Sequence, residues 1–247
     1  MIKVFDEYSK YYDLLYKDKD YIAESKYISD LIKRFSPNSK TVLELGCGTG
    51  KHALLLNQKG YEVFGIDLSQ TMLDDAKKNG IDCTIGDART FRANKTFDTV
   101  LSLFHVASYQ SSDEDLLDYF NTASLHLKPG DIFIFDCWYK PAVLAQLPEK
   151  RTKELENDDL KIKRFCKPNH IKEKSIVEVN YDIEITDKKM NEIKLISEKH
   201  TMRYFSTEDL QQFANEKNIE LIHSEQWLTG KSPDESTWGV CFVGVKK

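Results

Sequence analysis

Three acids, Glu44, Asp67 and Asp87, each stand at the end of a short apolar run, where a carboxylate is placed to hold a ligand. Glu44 opens the stretch Glu44-Leu45-Gly46-Cys47-Gly48-Thr49-Gly50, after the run Thr41-Val42-Leu43 and before a helical pattern over residues 51–58. A strand ending in an acid, a turn of alternating glycines and a helix form a ligand-binding corner. Glycine permits positive φ and lets a ligand approach without meeting a Cβ. The helix start adds unpaired N–H groups and positive potential. Glu44 makes the corner poor for a diphosphate and good for a ligand with a cationic end. Residues 61–67 and 83–87 read as second and third strands ending in Asp67 and Asp87. Ligands of a doubly wound sheet sit outside the carboxyl ends of its strands, so the three acids line one crevice. Asp67 is placed to accept from two ribose hydroxyls, and Asp87 from an exocyclic adenine amine. A nucleoside with a positive far end fits this pattern.

At these residues the chain resembles the class I S-adenosylmethionine (SAM) dependent methyltransferases. The glycine turn, Asp67 and Gly86-Asp87-Ala88 are similar to that family's first three cofactor motifs, in order and at suitable spacing. The resemblance runs over residues 8–139 and, in outline, from Ser206 onward. It implies an α/β, Rossmann-like seven-stranded sheet with helices on both faces, the last strand antiparallel to the rest. It implies SAM as cofactor, with Tyr12, Glu44, Gly46, Cys47, Gly48, Asp67, Leu68, Met72, Gly86, Asp87, Ala88 and Leu103 around it. The competing reading is a dinucleotide fingerprint, G-x-G-x-x-A, at Gly48-Thr49-Gly50-Lys51-His52-Ala53. Against it, the glycines begin at Gly46, directly after the strand, and Glu44 repels a pyrophosphate. A nicotinamide enzyme also gives no reason for Gly86-Asp87.

The elements that must position these residues follow from periodicity and punctuation. Tyr21–Phe35 carries Ile28, Leu31, Ile32 and Phe35 at helical spacing. Ser69 is a natural N-cap, and Ser111 with Glu114 resembles a capping box opening a helix over residues 113–126. Residues 97–103 and 132–137 read as the fourth and fifth strands. Strands alternating with helices indicate a parallel sheet. After Pro141 the pattern changes to three long strands over residues 160–165, 175–185 and 192–204, with turns at Asn169-His170 and Asp187-Lys188-Lys189. One domain over residues 1–247 with an inserted antiparallel sheet over residues 142–205 is the expectation. In the family, such insertions cover the substrate or make a homodimer contact; either use would fall to the face bearing Tyr181, Ile183 and Ile185. Ser206 and Asp209 open a further helix, and residues 219–223 and 238–245 close the chain as two strands.

The acceptor side is expected after the fourth strand, at Leu103-Phe104-His105-Val106-Ala107-Ser108-Tyr109. His105 is a candidate base and Tyr109 a candidate group for orienting an acceptor; Trp138-Tyr139 can wall the pocket. Tyr11 or Tyr12 can touch the SAM carboxylate or close the site, Lys19-Asp20-Tyr21 reads as a solvated helix start, and Arg203 as a surface ion pair or, alternatively, a partner for an acidic acceptor such as a nucleotide diphosphate. Tyr12-Asp13-Leu14-Leu15-Tyr16 followed by Lys19-Asp20-Tyr21 resembles the opening of the enzymes that N-methylate nucleotide-linked amino sugars. In that branch a histidine stands near the position of Tyr109, so this chain departs from it there. The expected function is methyl transfer from SAM to a small molecule, such as the amine of a nucleotide-linked amino sugar. The alternatives are O-methylation of another small metabolite and a non-catalytic SAM-binding module.

Composition bounds the partners. The 247 residues carry a net charge of −5 with no basic track, so nucleic acid is not an expected substrate. No apolar run is long enough for a membrane span, and no metal cluster stands out. The five cysteines are scattered without a C-x-x-C pair, which suits a reducing cytoplasm.

Overall fold

The computed structural model describes residues 14–15 and 19–247. Tyr12, expected at the cofactor, lies outside the described residues, as do Tyr8, Tyr11 and Tyr16. In chain order the elements are α1 (Tyr21–Phe35), β1 (Thr41–Leu45), α2 (Lys51–Asn57), β2 (Glu62–Asp67), α3 (Gln70–Lys78), β3 (Asp82–Ile85), β4 (Thr99–Ser102), α4 (Asp113–Leu125) and β5 (Ile132–Tyr139). Then come α5 (Lys140–Ala145), β6 (Arg151–Glu156), β7 (Leu160–Ile171), β8 (Ile176–Asp187), β9 (Glu192–Phe205), α6 (Thr207–Glu216), β10 (Ile219–Gln226) and β11 (Gly239–Lys246).

The central sheet runs β3-β2-β1-β4-β5 in parallel, continues with β11 antiparallel on β5, and ends with β10 on β11. This is the expected seven-stranded sheet with its last strand antiparallel. The chain moves outward from β1 to β3 and then returns to β4 beside β1, so the switch in strand order falls at the carboxyl end of β1. Alternation along β5 divides the core between the two faces. Ile132 and Ile134 pack with Ile28, Ile32, Ala53 and Leu73 of α1–α3, while Phe133 and Phe135 pack with Tyr119, Phe120 and Leu210 of α4 and α6.

Helix starts follow local side-chain chemistry. Asp20 accepts from the Ala23 N–H at 2.8 Å, and Ser69 accepts from the Met72 N–H at 3.3 Å. Ser206 and Asp209 form a reciprocal capping box on α6. The cap of α4 is Ser112, which accepts from the Asp115 N–H at 3.1 Å, and not the expected Ser111 with Glu114. The two serines are adjacent, and Ser112 is the one whose extended backbone aims its hydroxyl into the first turn.

The inserted sheet has four strands in the order β9-β8-β7-β6, one more than expected. β6 was not legible because it is an exposed edge strand in which Leu155 alone is buried, so no apolar alternation marks it. Asn169 and His170 lie inside β7, not at a turn; the reversal comes at Lys172–Lys174, with Ser175 at φ 53°. Pro168 is tolerated there because β6 ends its pairing at Cys166, leaving this part of β7 at the sheet edge. β9 joins the central sheet through Trp138↔Tyr204 and Tyr139↔Phe205 at the end of β5. Ile183 and Ile185 are buried with Leu14, Leu15 and Met72, so the face bearing them is covered within the single chain.

Asp98 fixes β1 against β4. Its Oδ2 accepts from the Lys40 N–H, the Thr41 N–H and the Thr41 hydroxyl, each at 2.9 Å. Burial pushes the Asp98 carboxyl upward, but the donors of Thr41 and Lys40 outweigh it and hold the group below its usual value. A depressed carboxyl stabilises the fold above its unfolded value, and that contribution fades as pH falls through the folded value. Asp98→Asn is expected to cost about 1.5–3 kcal/mol at neutral pH. In urea titrations the gap to the parent protein should close below about pH 4; a gap independent of pH would contradict this role.

Candidate active site

The glycine turn closes over the carboxyl ends of β1 and β2. Gly46 has φ 79°, and a Cβ on it would stand 2.7 Å from Cγ2 of Val106. Gly48 has φ 53°, and a Cβ there would meet only Met72 Sδ at 3.7 Å, with open space otherwise. That space is a cavity of about 400 Å³ lined by Gly46, Cys47 and Gly48, by Asp67, Leu68 and Met72, and by Gly86, Asp87 and Ala88. Leu103, His105 and Tyr109 line it as well. The sequence thus anticipated most of one surface, assembled from three strand tips and the segment after β4.

Asp67 is held by backbone donors: Gly48 N–H to Oδ2 and Ser69 N–H to Oδ1, each at 2.9 Å. Each oxygen keeps further acceptor capacity, suited to a vicinal diol. Burial nevertheless raises the Asp67 carboxyl, with the N–H groups of Ser69, Gly48 and Leu68 acting against the rise. Glu44 lies beneath the turn at 1 % exposure, and its Oε2 is without a hydrogen-bond partner. Burial first, and Asp67 second, push its carboxyl up to about 8, with Lys19 pulling the other way. Behind it runs a buried chain: His52 Nδ1 lies 3.9 Å from Glu44, His52 Nε2 lies 2.7 Å from Glu24, and Glu24 pairs with Lys19 at 3.3 Å. A buried acid, a half-buried acid and a cavity that a Cβ would invade fit a ligand with a diol and a positive charge.

Asp87 is placed differently from the expectation. It lines the cavity, but Arg89 Nε and Nη2 fork onto its carboxylate at 2.6–3.2 Å, and the Arg89 N–H adds a bond at 2.9 Å. Arg89 also reaches Asp115 at 2.6 Å. The Arg89 side chain holds the Asp87 carboxyl below its usual value against the effect of burial. A ligand amine at Asp87 therefore shares the carboxylate with Arg89.

After β4 the chain turns through Phe104 and His105, both at φ 65°, into a short 3-10 helix, Val106–Tyr109. Two successive non-glycine residues in the left-handed region are strained, and β5 holds them there. The His105 N–H donates to the Asp136 carboxylate at 3.1–3.2 Å, and the Trp138 N–H donates to the Ser108 hydroxyl at 2.9 Å. His105 Nδ1 also sits 2.6 Å from Asp136 Oδ2, an ion-pair separation without hydrogen-bond alignment.

The rest of the wall comes from Val179, His200 and Met202 of β8 and β9, not singled out from sequence, together with Tyr181, expected on the covering face of the insertion, and Trp138, expected to wall the pocket. Tyr109 Oη and His200 Nδ1 are 2.8 Å apart. Lys19 and Tyr21 also line the cavity, correcting their reading as a solvated helix start. Lys19 lies 3.5 Å over the Phe104 ring, and burial holds its ammonium below the usual value although Glu24 pulls it up. Arg203 makes the expected ion pair, with Asp113 at 2.7 Å, but its side chain is mostly buried and not on the surface. Among the described residues no cluster of His, Cys, Asp and Glu is arranged to hold a metal ion.

The raised Glu44 carboxyl gives a stability test. A native state that holds this proton more tightly than the unfolded chain loses stability as pH rises from about 4.3 toward the folded value. Between pH 5 and 9 the parent protein should lose stability relative to Glu44→Gln, read from urea midpoints. Parallel curves for the two proteins would show that Glu44 is ionised throughout.

Residues 42–130 match the methyltransferase domain family. Over 143 residues the chain is 33 % identical to the dTDP-3-amino-3,4,6-trideoxy-alpha-D-glucopyranose N,N-dimethyltransferase of Streptomyces venezuelae, covering 56 % of this chain and 60 % of that protein. Two solved structures superpose along almost the whole chain. Streptomyces venezuelae DesVI does so with TM-score 0.82, 23 % identity and coverage of 97 % and 98 % of the two chains. An S-adenosylmethionine-dependent methyltransferase from Clostridium acetobutylicum gives TM-score 0.81, 22 % identity and coverage of 98 % of each. By its motifs, its match over residues 42–130 and its sheet order, the chain carries the class I, Rossmann-like methyltransferase fold.

Proposed function

We propose that this chain transfers a methyl group from SAM to the amine of a nucleotide-linked amino sugar. The observation that carries the reading is the single cavity joining the Gly48–Asp67 cradle, with buried Glu44 beneath it, to the wall of Tyr109, Trp138 and His200. The Streptomyces venezuelae relative is a dTDP-amino-sugar N,N-dimethyltransferase, which supports the acceptor class. When bound, SAM supplies a methyl group already activated by its sulfonium. In this reading Asp67 accepts from the ribose hydroxyls, and Glu44 gives up its proton and supplies negative potential when the cationic end comes beside it. Gly46 and Gly48 let the ligand lie against the backbone. Tyr109 orients the acceptor nitrogen, and Trp138 and Tyr181 exclude water from it. Much of the rate gain then comes from positioning, since an unprotonated amine is already a nucleophile.

The inserted sheet serves as a lid in this proposal, with Val179, Tyr181, His200 and Met202 facing the acceptor. A homodimer contact would use a different face. Among the described residues no helix is long and apolar enough to cross a membrane. The five free cysteines suit a reducing compartment, the cytoplasm, and the net charge of −5 disfavours nucleic acid as a partner.

One observation favours a second reading, O-methylation: the imidazole of His105, backed by Asp136 at 2.6 Å, lines the same cavity and could act as the base that a hydroxyl needs. Formation of S-adenosylhomocysteine across a panel of dTDP-linked amino sugars and hydroxylated analogues decides between the two. Turnover of amines at a rate unchanged in His105→Ala supports the first reading; turnover of hydroxyls alone, lost in His105→Ala, replaces it. Binding with no turnover of either class would leave a SAM-binding module. Asp67→Ala should weaken S-adenosylhomocysteine about 10- to 100-fold by calorimetry, through loss of charge-assisted hydrogen bonds; unchanged affinity would contradict the ribose assignment.

A further inference from the structure

We propose that His200, oriented by Glu198, is the proton acceptor behind Tyr109, drawing the proton off the acceptor's ammonium group before each methyl transfer. The inference rests on the amine reading above and adds to it a group supplied by the inserted sheet.

The geometry is a line of three groups ending at the cavity. Tyr109 Oη lies 2.8 Å from His200 Nδ1, and His200 Nε2 lies 3.3 Å from Glu198 Oε2. Glu198 and His200 are two apart on β9, so strand periodicity puts both on one face. Both are buried, at 5 % and 7 % exposure, while Tyr109 and His200 line the cavity. A carboxylate accepts only, so the network assigns the His200 proton to Nε2, facing Glu198. Nδ1 then presents its lone pair to the Tyr109 hydroxyl, which donates to it. With its own proton so committed, the Tyr109 oxygen meets the acceptor as a hydrogen-bond acceptor.

Among the described residues, the charged and titratable groups facing His200 come from each element packed against it. Tyr109 belongs to the 3-10 turn, and Glu198 to its own strand. Tyr181 of β8 has its ring centroid 5.4 Å from the imidazole, and Arg164 of β7 lies 4.6 Å from the Tyr181 ring. Glu198 is the acid in this set, placed to balance an imidazolium.

An amine in water near neutral pH is largely protonated and has no lone pair to offer. In the proposed step the acceptor N–H proton passes to Tyr109 Oη while the Tyr109 O–H proton passes to His200 Nδ1. The N–H bonding pair stays on nitrogen as the nucleophilic lone pair. The products are a neutral amine, a neutral tyrosine and an imidazolium beside the Glu198 carboxylate, and the imidazolium later releases its proton to solvent. After a methyl group is added, the nitrogen again carries a proton and a positive charge, and the same path removes that proton. The relay therefore serves a second addition as well as the first.

The test uses the full chain. Nitrogen NMR of labelled histidine should show His200 protonated at Nε2 with an accepting Nδ1, and Tyr109→Phe should shift the Nδ1 resonance. A proton found on Nδ1, or an unmoved resonance, overturns the relay without any assay of turnover. With an amine acceptor, His200→Gln should lower kcat on the order of a hundredfold at neutral pH. The deficit should shrink as pH rises past the acceptor's own ammonium value, because solvent then delivers the free amine. A deficit equal at every pH, or none, overturns the proposal. S-adenosylhomocysteine affinity should stay unchanged, and if His200→Gln fails to fold, Glu198→Gln carries the same measurements with a smaller loss. A parent enzyme that turns over no amine would sink the amine reading; brisk amine turnover in His200→Gln would sink the relay alone.

Discussion

Two carboxylates at the tips of adjacent parallel strands, one buried and one half-buried, are the constraint on which the rest of the site depends. Burial makes each of Glu44 and Asp67 costly to ionise, and the Asp67 charge adds to the cost at Glu44. The surroundings answer that cost unevenly. Asp67 draws on backbone N–H groups from the glycine turn and the start of α3, which is why the turn must fold back over β2. Glu44 has only the more distant His52 and Lys19, and one of its oxygens is left unpartnered. The residual negative potential lies under a surface kept open by Gly48. Fold and ligand preference come from the same few atoms: the switch in strand order makes the crevice, and the incomplete neutralisation sets what charge it welcomes.

The sequence made the cofactor half legible because its signals are local. A β-branched run, an acid, glycines at alternate positions and a helix are contiguous, so Glu44, Gly46, Gly48 and Asp67 could be placed by reading along the chain. Asp87 was placed at the right strand tip, yet its bonding was not foreseen. Arg89 is only two residues away, but nothing in a dipeptide's spacing shows that its guanidinium will turn back onto the carboxylate and reach Asp115 on α4. β6 escaped notice because an exposed edge strand needs no apolar alternation.

His200 was invisible for a deeper reason. Its role depends on a pairing 91 residues apart with Tyr109, and on the register that sets Glu198 across from Tyr181 and His200 across from Val179. A slip of one residue would turn both side chains to the other face. Alternation along β8 and β9 is readable from sequence, but the point where β9 meets the 3-10 turn is a tertiary fact. The same holds for His105: its partner Asp136 lies on the neighbouring strand, and the left-handed backbone that presents it is held by that contact.

The four-stranded insertion pairs with the central sheet over two residue pairs, Trp138 with Tyr204 and Tyr139 with Phe205. Its inner end is also clasped to the 3-10 turn by Tyr109 and His200. With the Arg203–Asp113 pair and the packing of Ile183 and Ile185 on Met72, that bond fastens the inserted sheet to the body of the protein, and it lies at the cavity wall. How the inserted sheet sits on the central sheet is therefore felt inside the cavity, through the Tyr109–His200 contact.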